Sequence, residues 1–246
     1  MDFDNVGLLV GDACQRVSRV LVALDITSQV IDEAEETGAQ LIVSHHPVIF
    51  HKLSGVTWDD PVGRLVMRLV RGEISAICMH TNLDVARGGV NDALADALGL
   101  QSCTLLASEG VDGGVEYGIG RVGELPRAES VRAFLMRVRE ALGANGLRYV
   151  PAERDVKRVA VGGGACGSYL EAACAAGCDA FVTADVKHDR FLTARDLGIT
   201  LIDAGHFSTE NPVCAVLRDD LAQEWPKLWV RIAGANRQPE EFYTGE

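Results

Sequence analysis

Strand, helix and strand follow one another within residues 19–46, and no other feature of the chain constrains its fold as tightly. "RVLVALD" (19–25) is an apolar run of strand length, and "LIVSHH" (41–46) is another. Between them, "TSQVIDEAEETGAQ" reads as a helix, with Thr27 or Ser28 as N-cap and Gly38 as C-cap. Strands joined this way pair in parallel through a right-handed crossover. "WDDPVGRLVMRLVRGE" then predicts a helix, "ISAICMH" a strand, and "GGVNDALADALGL" a helix begun near Asn91. The fold class is therefore α/β.

The plan recurs further on. "VKRVAVGGG" (156–164), "CDAFVTAD" and "ITLIDAGH" read as strands, separated by the helices "GSYLEAACAAG" and "KHDRFLTARDLG". A shift of 139 residues sets Gly38 on Gly177 and Leu41–Ser44 on Ala180–Thr183. Residues 113–150 add the strand "GVEYGIGRVGEL", the helix "AESVRAFLMRVREALG" and the short strand "GLRYV". The expectation is two similar α/β lobes, consistent with a duplication. The first would be residues 1–108 and the second 109–246, with the segment from about 206 to 246 packing back on the first lobe.

The polar clusters all follow strand ends: Ser44-His45-His46, His80-Thr81-Asn82-Leu83-Asp84, Thr183-Ala184-Asp185 and Asp203-Ala204-Gly205-His206. Ligands of parallel α/β sheets bind beyond the carboxyl ends of the strands, so a site in a cleft between the lobes is expected. Imidazole and carboxylate are the usual donors for Zn, Fe, Mn or Ni. His45, His46, His80, Asp84, His206 and Glu210 offer them, with Glu210 four residues after His206 and on its side if the segment is helical. Asp84 and Glu210 are natural bridges for two ions. Taken singly, each has a plainer reading: a solvated His-His loop, a strand ended by Pro47, a turn cap at Asp84.

Bulk properties narrow the function. A net charge of −12 argues against a nucleic-acid surface, which needs clustered Lys and Arg. The opening "MDFDNVGLLVGDAC" lacks the basic start of a signal peptide, and no apolar stretch approaches the roughly 20 residues of a membrane span. Seven scattered cysteines without C-x-x-C read as reduced thiols of a cytoplasmic protein. A competing motif is "GGGACG" (162–167), which satisfies G-x-G-x-x-G with Asp185 further on. It reads as a dinucleotide or phosphate cradle, or as a tight strand–helix turn.

"DNVGLLVGD", "LIVSHHPVIF", "HTNLDVARGGVNDALADALGL", "GRVGEL", "VAVGGGACGSYLEAA", "VTADVKHD" and "DAGHFSTENP" occur in this order over nearly the whole chain. Together they resemble the Nif-three-like family, whose members are often labelled GTP cyclohydrolase 1 type 2 homologs. The resemblance implies two α/β lobes around a dinuclear metal site and assembly as a toroidal homohexamer. It implies His45, His46, Asp84, His206 and Glu210 as ligands of two divalent ions. His80, Lys187 and His188 would lie close to the site, with His80 or His188 as candidate general base. It also implies a helix ahead of D-N-V-G-L, and Trp where this chain has Phe3. The activity implied is metal-dependent hydrolysis, either ring opening of GTP or cleavage of another nucleotide or phosphoester as small-molecule substrate. The alternative is a non-enzymatic metal-binding or regulatory oligomer.

Overall fold

The computed structural model describes residues 4–243; Phe3 lies outside them. In chain order the first elements are β1 (Gly7–Val10), β2 (Arg19–Ala23), α1 (Ser28–Thr37), β3 (Leu41–Ser44), α2 (Pro61–Arg71), β4 (Ser75–Cys78) and α3 (Thr81–Val85). Next come α4 (Val90–Ala97), the strands β5 (Gln101–Asp112) and β6 (Val115–Glu129), α5 (Val131–Leu142) and β7 (Arg148–Val150). β8 (Val156–Val161), α6 (Leu170–Ala175), β9 (Ala180–Thr183), α7 (His188–Leu197), β10 (Thr200–Asp203), α8 (His206–Glu210), α9 (Pro212–Glu224) and β11 (Trp229–Ile232) complete it. The chain divides into two compact units, Met1–Leu83 with Cys214–Arg237, and Asp84–Val213 with Gln238–Glu246.

The first unit is built on a sheet of order β1-β4-β3-β2-β11. β11, β2, β3 and β4 run parallel, and β1 is antiparallel to β4. α1 forms where expected: the Thr27 side chain accepts from the Val30 amide, and Gly38 closes the helix at φ +65°. Asp60 caps α2 ahead of Pro61 at its first turn. Val30, Ile31, Val66 and Leu69 pack on Leu21, Ile42 and Ala76 of the strands. Burying such a side chain is worth roughly 1.5–3 kcal/mol.

The second unit carries a sheet of order β5-β6-β8-β9-β10-β7, in which β8, β9 and β10 are parallel. Strand alternation distributes its apolar residues to two faces. Val159, Val161 and Val182 join Leu94, Leu98, Phe134 and Val138 from α4 and α5. Ala160 and Phe181 join Leu170, Ala173 and Ala194 from α6 and α7. The 139-residue correspondence holds at the level of register: Val20 faces Leu41 and Val22 faces Val43, as Val159 faces Ala180 and Val161 faces Val182.

β5 was not anticipated. Its burial pattern lacks a clean two-residue alternation, because it is the mostly exposed edge of its sheet. It pairs with β6 across Gly113-Gly114, both at positive φ (55° and 82°), as a two-residue hairpin turn requires. The boundary expected near residue 108 falls inside this strand, and the units part between Leu83 and Asp84 instead. The reason is that α4 buries Leu94 and Leu98 against Leu125 and Phe134 of the second unit. Residues 214–237 belong to the first unit, where β11 pairs with β2. Among the described residues no helix is long and apolar enough to cross a membrane.

Candidate metal centre

Two neighbouring strand ends of the first unit deliver a cluster of histidines. The parallel ladder runs past β3: the His45 amide donates to Ala23 O (3.3 Å) and the His46 amide to Leu24 O (2.9 Å). Both imidazoles therefore leave a fixed backbone, and the buried Pro47 takes the chain away. His80 follows β4. The ring of His45 lies 4.9 Å from that of His46 and 5.4 Å from that of His80, with 5.7 Å between His46 and His80. One ring nitrogen from each lies within 4.8 Å of the others.

Each ring is oriented by an acceptor at Nδ1. His45 Nδ1 meets Met79 O at 2.9 Å, His46 Nδ1 meets Asp25 Oδ1 at 2.8 Å, and His80 Nδ1 meets Asp4 Oδ1 at 2.6 Å. An acceptor at Nδ1 places the proton there and makes Nε2 the basic nitrogen, the arrangement that supports metal-binding histidines. Asp4 also accepts from the Thr81 amide (3.0 Å) and hydroxyl (2.5 Å). Burial alone would raise its carboxyl, but the hydrogen bonds from His80, Thr81 and Asn5 outweigh it and hold Asp4 at about 2. Asp4 is thus an ionised anchor.

The second unit holds Asp84, His206 and Glu210. α8 spans one turn, which brings the i and i+4 side chains together: His206 Nε2 lies 3.1 Å from Glu210 Oε2. His206 Nδ1 meets Asp185 Oδ2 at 2.6 Å. The hydrogen bond that His206 donates to Glu210 is the largest influence on its imidazole. Burial opposes it and Asp185 adds to it, raising the imidazole to about 9. Asp185 is non-glycine yet sits at φ +50°, a strained conformation of the kind that gathers at functional sites. The spacing repeats between units: Asp25 precedes His46 by 21 residues and Asp185 precedes His206 by 21. In both, a carboxylate beyond one parallel strand holds the histidine beyond the next.

The glycine loop packs around Glu210. A Cβ on Gly164 would stand 2.2 Å from Glu210 Oε1, and one on Gly163 would stand 2.7 Å from Val90 Cγ1. The Gly162 amide donates to Val182 O, Gly163 to Asn91 Oδ1, Gly164 to Thr209 Oγ1, and Cys166 to Thr183 Oγ1. Four of the loop's amides are thus spent inside the protein rather than offered to a pyrophosphate, and the loop serves as a packing turn around Glu210. Asn91 also donates to Asp84 O at 2.8 Å, tying the Asp84 backbone to this loop. The loop's Cys166 thiol is pushed up to about 12, first by burial and then by Asp84 and Glu210.

Of the residues expected near the site, His45, His46 and His80 come together in the first unit, and His206 with Glu210 in the second. Lys187 stands at the N-cap position of α7 without a side-chain capping hydrogen bond, and His188 is the exposed first residue of the helix. Asp4 and Asp25 carried no assignment in the sequence, and Asp185 was noted only in a strand-end cluster and as the acid beyond GGGACG. The family model for Duf34/NIF3 (NGG1p interacting factor 3) matches residues 1–239.

The chain belongs to the NIF3 family.

A curated relative, the GTP cyclohydrolase 1 type 2 homolog of Clostridium acetobutylicum, is 37% identical, covering 98% of this chain and 91% of its own. A hypothetical protein of Staphylococcus aureus superposes with a TM-score of 0.92 at 30% identity, covering 99% of this chain and 93% of its own. A Bacillus cereus protein related to NIF3 matches with a TM-score of 0.92 at 24% identity over 99% and 94% of the two chains, and so shares the fold. The donors present in this NIF3 chain suit divalent metal: imidazoles each held by an acceptor at Nδ1, and carboxylates whose negative field raises the Cys166 thiol.

Proposed function

We propose that this NIF3 protein is a metal-dependent hydrolase that holds two divalent ions (Zn, Fe, Mn or Ni) on His45, His46, Asp84, His206 and Glu210. The observation that carries the reading is the common orientation of the histidines. His45, His46, His80 and His206 each have Nδ1 against an acceptor, so Nε2 is the nitrogen set up to coordinate or to take a proton. Divalent ions bound there supply Lewis acidity toward a carbonyl, ring carbon or phosphoryl oxygen. His80 takes the proton of the attacking water at Nε2, and ionised Asp4 stabilises the resulting imidazolium. His80 suits this role better than His188, because Asp4 orients it. The relatives' name supports ring opening of GTP as the reaction, with hydrolysis of another nucleotide or phosphoester as the other candidate. The family resemblance adds a toroidal homohexamer, and the scattered thiols favour a cytoplasmic setting.

Elemental analysis of freshly purified, unchelated protein tests the reading. About two equivalents of metal per chain are expected in the wild type, falling by one or more in His45→Ala and Glu210→Ala. Less than one equivalent in the wild type overturns the dinuclear assignment. With metal present, hydrolysis of GTP and simple phosphoesters is expected to fall at least 100-fold in the same variants.

A further inference from the structure

The loop after His46 buries the neighbours of Phe50 and leaves its ring out. Val48 is 8% exposed and sits in the core, with Ile49 and Leu53 packed against it, whereas Phe50 is 55% exposed. The Asn5 side chain donates to Ile49 O at 2.6 Å, which pins the backbone one residue before the ring. Phe50 meets His51 at a centroid distance of 4.8 Å and 84°, and His80 at 5.9 Å and 78°. Both contacts are near-perpendicular, so neither histidine stacks parallel to the ring.

An apolar ring held in water on an anchored backbone, touching the histidine cluster at its edge, is placed for a ligand. We infer that Phe50 is a stacking platform for a planar heteroaromatic ring of the substrate, with the base of a nucleotide as the fitting class. The inference rests on the hydrolase reading for the chemistry it serves. Aromatic rings stack offset and parallel on such a surface, the geometry the two histidines do not use. A base lying on Phe50 would stand beside His80, the proton acceptor of the proposed reaction. Lys52, exposed two residues on, supplies a cation for a phosphate tail in a chain of net charge −12.

Calorimetric binding of guanosine 5′-monophosphate and of ribose 5-phosphate to the protein as purified tests this. Phe50→Ala is expected to weaken the nucleotide about tenfold or more while leaving ribose 5-phosphate and metal content unchanged. Phe50→Trp is expected to restore binding and to show tryptophan quenching on addition of the nucleotide. The inference is overturned if the wild type does not bind the nucleotide, or if Phe50→Ala binds it as tightly as the wild type does. Phe50-dependent binding by a protein holding less than one metal equivalent would sink the hydrolase reading and leave the platform standing.

Discussion

His206 holds a proton between two carboxylates, and the consequence is a pH dependence that metal should abolish. Its imidazole is raised to about 9, above the ordinary 6.5, mainly by Glu210 and with help from Asp185. A group whose folded pKa is raised contributes stability that is complete below its unfolded value and lost as pH rises through the folded one. Thermal unfolding of chelated protein should therefore show Tm falling between about pH 6.5 and about pH 9, with His206→Gln flattening that decline. Metal binding near neutral pH expels this proton, so calorimetry in buffers of different ionisation enthalpy should record proton release. Gly164 answers to the same carboxylate. It lies at φ +64°, and a Cβ there would strike Glu210 Oε1. Gly164→Ala should cost roughly 1–3 kcal/mol in denaturant unfolding and lower the bound metal, since Glu210 must move.

At the scale of elements, the second unit is tied by a buried ion pair. Arg121 of β6 is almost wholly buried and makes two hydrogen bonds to Asp92 of α4, at 2.6 and 2.9 Å. It also donates to Gly118 O, Gly120 O and Ala86 O. Removing the acid strands a guanidinium away from water, so Asp92→Ala should destabilise by about 3 kcal/mol in chemical denaturation. An unchanged midpoint would show that the carbonyls alone satisfy Arg121. Thr27 and Gly38 made α1 legible in advance, because a helix end is a local event; Asp60, Ser130 and Gly143 end α2 and α5 in the same local way. β5 was hidden because an exposed edge strand needs no alternation, although Gly113-Gly114 held the signal of its hairpin.

For the whole molecule, chelation is the broadest test. Ions that bind only the folded chain stabilise it by mass action, so removing metal should lower Tm and re-addition should restore it, whereas His45→Ala should show a smaller response. What the sequence determined by itself was local and periodic: the α/β class, the parallel strand–helix–strand units, and the rule that polar clusters follow strand ends. That rule singled out His45, His46, His80, Asp84, His206 and Glu210. Only the tertiary structure decided which carboxylate holds which ring. Asp4 reaches His80 across 76 residues, and Asp25 and Asp185 reach their histidines across 21. Such pairings depend on strand order and register, which come from packing the whole sheet and leave no trace in the neighbours of either residue. The structure also turned "GGGACG" from a cradle into a packing turn, because the fate of an amide hydrogen is settled by what folds against it.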